Sequence, residues 1–226
     1  MLKILRNKKI VKKIWVGLGI IILPAFVFWG LGGAMRDKKE SRNIGRIPGK
    51  EVTALEYRES FLAARNIAIM RYGEDFRQEL KDTDLEAMAW QRLALSYEAK
   101  KLKITASNKE VVEKIESYPF FKRDGNFDIK LYNELLVYVF RTQPRVFEEQ
   151  IRQEIIISKL FDRITGNVEI SEEELRDGYT KFNLRIDPKF KFEEKKFLAE
   201  GEQFRKLLLE EKKEEFFSQY VANLLK

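Results

Sequence analysis

The stretch Tyr118-Pro-Phe-Phe-Lys-Arg-Asp-Gly-Asn-Phe-Asp-Ile-Lys-Leu-Tyr132 decides how the rest of this sequence is read. Pro119 biases the residue before it away from helical geometry, so a helix arriving from the N-terminal side stops here. Asp124-Gly125-Asn126 is a turn sequence whose glycine takes a positive φ, and Phe120, Phe121 and Phe127 flank the reversal. Asp128 stands where a carboxylate can accept from the first free N–H groups of a new helix. The stretch is therefore a joint between two helices.

Toward the C-terminus, Leu131, Tyr132, Leu135, Leu136 and Val139 recur at helical spacing. Thr142-Gln-Pro144 opens the next helix, with Pro144 in the first turn, where its missing N–H costs nothing. Phe147, Ile151, Ile155, Ile156, Leu160, Phe161 and Ile164 line that helix as far as Gly166. Ser171-Glu-Glu-Glu174 caps a helix through Tyr179 and Phe182. After Asp187-Pro188, residues 193–226 read as one long helix with two apolar stretches, Phe197 to Leu208 and Phe216 to Leu225, separated by the charged run Glu210 to Glu215. Such a helix is expected to dock at both ends and bridge solvent in the middle. The apolar density near its end equally suits a coiled-coil partner such as a second copy of the chain.

Toward the N-terminus, Ser107-Asn-Lys-Glu110 is a capping box, and Asp82 to Asp84 offer N-caps for a helix carrying Leu85, Met88, Leu93, Tyr97 and Leu102. Thr53-Ala-Leu-Glu56 is another capping box, opening a helix that Gly73 ends. Before it, Ile44-Gly-Arg-Ile-Pro-Gly-Lys-Glu-Val52 reads as two short strands around a turn in which Pro48 fixes φ and Gly49 supplies the positive one.

Among the 226 residues there is no cysteine and no histidine, which excludes disulfides and thiolate metal sites and removes the commonest general base and metal ligand. No catalytic, cofactor-binding or metal-binding residue is expected, because the acids sit in caps and in Lys/Glu helix faces. The net charge of +7 does not indicate nucleic acid. Lys3, Arg6, Lys8, Lys9, Lys12 and Lys13 crowd the start with no acid among them, and the remainder is close to neutral, without the basic stripe a nucleic-acid binder needs.

Ile14 to Ala34 contains no charged side chain; at ~1.5 Å per residue it spans ~30 Å, a bilayer core, with Trp15 and Trp29 near its ends. Gly32 and Ala34 offer a signal-cleavage spacing, but the run exceeds the ~7–15 residues of a signal h-region, so an uncleaved anchor is expected. The basic cluster keeps the N-terminus cytoplasmic and sends the rest across the membrane.

The order of anchor, Ile-Gly-Arg-Ile-Pro-Gly-Lys-Glu-Val hairpin, Phe61-to-Asn66 helix, Pro119-Phe-Phe, Asp124-Gly-Asn-Phe-Asp128, Tyr132 and Phe147-Glu-Glu-Gln-Ile-Arg-Gln-Glu resembles the N-terminal chaperone domain of the SurA/PpiD class of periplasmic folding factors, over roughly residues 14–182. The single anchor is more similar to the membrane-tethered PpiD type. The resemblance implies an inner-membrane, single-pass protein whose periplasmic domain binds unfolded or newly translocated polypeptides in outer-membrane and envelope biogenesis. Members commonly carry a parvulin-type prolyl isomerase domain with buried histidines. The segment after Phe182 has no room for a domain of ~100 residues, so a holdase without isomerase activity is expected.

The expected fold is mainly α: residues 1–35 a basic segment and transmembrane helix, 36–43 a linker, 44–182 a helical chaperone domain with one short β-hairpin, and 183–226 a linker and long C-terminal helix that returns to complete it. Gly49, Pro119, Asp124, Gly125, Phe127, Asp128, Tyr132, Phe147 and Ile151 carry the family pattern as structural positions. Phe120, Phe121, Phe127, Phe216 and Phe217 are the client-binding candidates, though large apolar residues on consecutive helices also serve as core. The rival reading is a membrane-anchored scaffold that binds a folded partner or forms a homodimer.

Overall fold

A computed structural model describes residues 42–225 apart from residue 74. The expected basic segment and anchor, and most of the linker after them, lie outside the described residues. Among the described residues no helix is long and apolar enough to cross a membrane. The chain divides into two compact units between Arg58 and Glu59.

In the first unit, β1 (Asn43–Ile47) and β2 (Lys50–Thr53) pair antiparallel, with Ile47 opposite Lys50. Gly49 turns the chain at φ 81°, as the Pro-Gly pair requires. Helix α1 (Ala54–Tyr72) follows at once. Its N-terminus is closed reciprocally: the Glu56 N–H donates to Thr53 Oγ1 at 3.2 Å, and the Thr53 N–H donates to Glu56 Oε2 at 2.9 Å.

The second unit takes α1 to its end at Gly73, whose φ of 77° lets its N–H reach the Ile69 carbonyl at 2.8 Å. Then come α2 (Phe76–Glu79), α3 (Asp82–Lys101) and α4 (Asn108–Ser117). A 3₁₀ turn (Pro119–Phe121) leads into β3 (Lys122–Arg123) and β4 (Asn126–Phe127), followed by α5 (Ile129–Leu135), a π-helical turn (Leu136–Phe140), α6 (Pro144–Thr165), α7 (Glu172–Ile186) and α8 (Glu194–Leu224).

Three local expectations change. Asp82 and Asp84 lie inside the first turn of α3, and Asp84 accepts from the Lys81 N–H at 2.8 Å, so the helix begins one residue earlier than the aspartates suggest. The single expected hairpin becomes two, because the Asp124-Gly125 turn closes a short ladder of its own. The helix after Asp128 widens into a π turn and stops at Arg141, which adopts left-handed geometry at φ 51°.

Three apolar clusters hold the second unit. The first gathers Phe121, Tyr132, Leu136, Phe140, Phe147 and Ile151 around the joint. Phe121 is completely enclosed, with its ring centroid 5.0 Å from Tyr132 and 5.8 Å from Phe147 in edge-to-face contact. The second packs Leu95 and Ala99 of α3 and Leu160 of α6 against Val221 of α8. The C-terminal helix therefore does return to the earlier helices. The third joins Leu175 and Tyr179 of α7 to Phe197 of α8. There Gly178 admits the close approach: a Cβ on it would stand 2.9 Å from a Leu208 methyl.

The charged run of α8 is largely open to solvent, with Glu210, Glu211, Glu214 and Glu215 exposed, yet it is tethered through Lys212 and, one stretch earlier, Arg205. Arg205 donates to the Ile170 carbonyl at 3.1 Å and pairs with Glu172, while Lys212 donates to the Glu169 carbonyl at 2.9 Å and to Glu174 at 2.6 Å. These tethers run to the chain just before and within the first turn of α7, joining the two apolar ends of α8.

Candidate functional site

The joint between α4 and α5 is built by local chemistry. Tyr118, preceding Pro119, is extended at ψ 124° and ends α4. Asp124 and Gly125 both have positive φ, 53° and 80°, the pattern of a type I′ turn whose twist suits a two-residue hairpin. Phe127 is set opposite Lys122. Asp128 closes the joint: its Oδ1 accepts from the N–H groups of Lys130 at 2.9 Å and Leu131 at 3.1 Å, and its own N–H donates to the Phe121 carbonyl at 2.9 Å. The hydrogen bond from Leu131, with that from Lys130 and the nearby Arg123 guanidinium, holds the Asp128 carboxyl below its ordinary range.

Between this joint, α4 and α6 lies a cleft of about 240 Å³. Its apolar wall is Val111, Val112 and Ile115 of α4 facing Phe127, Ile129 and Tyr132. Val112 and Ile129 are 52% and 58% exposed, so two large apolar side chains stand in water where they border the cleft. Arg152 adds a fixed polar edge: it donates to the Ala106 carbonyl at 2.7 Å and to Asn108 Oδ1 at 2.9 Å. Glu116 and Glu148 supply acidic groups in the same lining.

Tyr132 is the unusual member of this wall. It is 4% exposed, and its hydroxyl is buried without a hydrogen-bond partner among the described residues. Burial, with a smaller contribution from the Glu148 carboxylate, pushes its phenol up to about 12. A buried hydroxyl of this kind costs stability unless something occupies its donor and acceptor positions.

The client-binding candidates fall in different places. Phe127 lines the cleft. Phe121 is sealed beneath it, and Phe120 is half-buried, stacked on Tyr118 at 5.2 Å. Phe216 is exposed on α8, whereas Phe217 packs edge-on against Phe161 at 5.1 Å in the α3, α6 and α8 cluster. Phe147 and Ile151, fully buried, form the floor under Phe121. The five phenylalanines do not assemble into one surface. Val112 and Ile129 were not among the sequence candidates; Ile129 stands at i, i+3 and i+7 spacing with Tyr132 and Leu136, so periodicity alone assigns it to the core face, and only its place in the helix's first turn, beside the cleft, leaves it exposed. Among the described residues no three acidic side chains gather into a group able to hold a metal ion.

The joint, the cleft, helices α1 to α5 and most of α6 fall within residues 1–161, which match the SurA-like N-terminal domain family. The chain belongs to that family. Among its relatives, the foldase protein PrsA of Caldanaerobacter subterraneus subsp. tengcongensis is 27% identical, in an alignment covering 71% of this chain and 50% of that protein. The chain thus spans about half the length of that relative. No solved structure matches it. In this SurA-like N-terminal domain protein, α7 and α8 lie beyond the family match, yet Val221 of α8 is buried against the family helices α3 and α6.

Proposed function

We propose that the protein is a folding factor that holds apolar segments of unfolded or newly translocated polypeptides. The single observation that carries this reading is the cleft beside the joint: an open, mainly apolar wall, bordered by exposed Val112 and Ile129, in a chain of the SurA-like N-terminal domain family. Such a wall offers contact area with little directional demand, which suits weak binding of many sequences. The name of the PrsA relative, a foldase, supports a role in protein folding.

In this reading the protein works as a holdase without catalysis, prolyl isomerisation included. Residues 14–34 anchor it in the inner membrane, with the N-terminus cytoplasmic and the folded body periplasmic. Tethering raises the local concentration of binding sites near emerging chains and so compensates for weak contacts. The apolar side chains of Val112, Ile129 and Phe127 take the client's apolar side chains, and Arg152 and Asn108 keep one edge wet.

The experiment is suppression of aggregation of a reduced or urea-diluted client by the full chain in nanodiscs. Delay of aggregation at stoichiometric amounts, weakened by Val112→Asp together with Ile129→Asp at unchanged melting temperature, is the expected result. No delay at any ratio would reject the holdase. A second reading, a scaffold for a folded partner or a homodimer, is favoured by Ile186, Leu198 and Leu207, which stand about 70% exposed on α7 and α8. Crosslinking in membranes that traps one folded partner rather than many clients would select it.

A further inference from the structure

A second cleft, of about 270 Å³, is lined by α1, the start of α2 and the π-helical end of α5. Nearly buried Ile69 and Phe76, Val139 and the exposed Tyr138 line it, and three arginines, Arg65, Arg77 and Arg141, share it with no carboxylate among the described residues of the lining.

Each arginine is held in place by a different device. Half-buried Arg65 donates to the carbonyls of Phe140 at 3.2 Å and Val139 at 3.5 Å, closing the end of the π turn. Arg77 lies over the Phe76 ring, 6.0 Å from its centroid. Arg141 is placed by a left-handed backbone at φ 51°, where the Thr142 N–H reaches back to the Leu136 carbonyl at 2.9 Å. A non-glycine residue in that region and a π turn are both uncommon, and both concentrate at functional sites. Here they adjoin each other and end at an arginine in the cleft. The three cations also act on one another: the Arg65 guanidinium is pushed down first by burial and then by the charges of Arg141 and Arg77. With two of its N–H groups given to carbonyls, Arg65 still has donors to offer.

We infer that this cleft binds the carboxylate of an acidic polypeptide segment whose neighbouring apolar side chain packs on the exposed ring of Tyr138 beside Val139. An anion there relieves like-charge repulsion that no described residue of the lining compensates, and a guanidinium fork matches a carboxylate in bidentate geometry. The exposed Tyr138 ring beside the cations favours a peptide over a bare phosphate, because a peptide presents a carboxylate and an apolar side chain one residue apart. The inference rests on the polypeptide-binding reading and deepens it: the body would select segments in which acids alternate with apolar residues.

The test uses the full chain in zwitterionic nanodiscs and two short fluorescent peptides, one containing Glu-Leu-Asp-Phe and the other the amide counterpart Gln-Leu-Asn-Phe. Anisotropy should show the acidic peptide binding about tenfold more tightly at low salt, as expected for a charge-assisted pair. The difference should shrink with salt and vanish in Arg77→Gln/Arg141→Gln, whose changes lie on exposed side chains and should leave the melting temperature alone. Equal affinity for the two peptides, with aggregation suppression intact, overturns this inference and spares the holdase. Failure to bind either peptide or any unfolded client overturns both. Arginine-dependent recruitment of phosphatidylglycerol vesicles without discrimination between the peptides would reassign the cleft to lipid headgroups and overturn it as well.

Discussion

Arg92 on α3 donates to the Glu154 carboxylate on α6 at 2.7 Å, and its other terminal nitrogen donates to the Gln150 carbonyl at the same distance. Arg92 is 8% exposed, so this guanidinium is a nearly buried bracket between two long helices. Truncation strands a carbonyl and a carboxylate that the fold arranged around a cation. Arg92→Ala is expected to cost about 2–3 kcal/mol, below the ~3–5 kcal/mol of a fully enclosed pair because Glu154 is partly open to water. Arg92→Lys should recover only part of the loss, since one ammonium cannot reproduce the fork. Urea midpoints at constant m-value check this, and full recovery of stability by Lys would show that fork geometry is irrelevant.

Tyr132 separates stability from binding. Its hydroxyl has no partner while its ring is packed, so Tyr132→Phe should leave stability unchanged or raise it by up to ~1 kcal/mol. Client retention should be unchanged, because a hydroxyl enclosed this fully offers nothing to a client in the cleft. Paired thermal melts and client-binding titrations give the answer; a marked loss of stability would mean that the hydroxyl is satisfied in solution.

Gly178 tests how closely α7 and α8 must approach. Its missing Cβ would crowd the end of the Leu208 side chain at 2.9 Å, which can rotate, and touch the Phe204 ring at 3.4 Å, while alanine gains about 1 kcal/mol of helix propensity over glycine. Gly178→Ala should therefore stay within ~1 kcal/mol of the original protein. Gly178→Leu has no such escape and should lose ~1–3 kcal/mol by overpacking. Chemical denaturation of the two variants distinguishes seam packing from backbone freedom, because a backbone requirement would make alanine as harmful as leucine.

Acid should loosen two helix junctions. Glu110 is held down to about 2, first by its hydrogen bond with Lys159 and then by the Ser107 N–H; Glu174 is held down to about 2 by Lys212 and the Ser171 N–H. Both folded-state values lie below the ordinary value near 4.5, so the stabilisation is complete above that pH and is lost as pH falls toward about 2. Melting temperature should decline across that window, and Glu110→Gln with Glu174→Gln should flatten the decline while lowering the neutral-pH plateau. An unchanged acid limb in the double variant would place the acid sensitivity elsewhere.

The local features were readable because their chemistry spans only a few residues. Ser107 and Glu110, Ser171 and Glu174, Asp128 with Leu131, Pro144 in a first turn and Gly73 at a helix end each act within three or four positions along the chain. The exceptions were near misses of the same kind: Asp84 closes its helix from inside the first turn, and Asp124 joins Gly125 at positive φ to make a hairpin rather than a bare turn.

By itself, then, the sequence determined where helices start and stop and that an aromatic joint lies between Tyr118 and Tyr132, since caps, turns and apolar periods are settled among neighbours. Tertiary structure alone decided that Phe121 is sealed while Phe127 lines a cleft, that α8 closes on α3 and α6 through Val221, and that Arg65, Arg77 and Arg141 share one lining. The physical reason is distance along the chain: Arg92 and Glu154 stand 62 positions apart. Their meeting depends on helix packing and on a π turn that no local pattern announces.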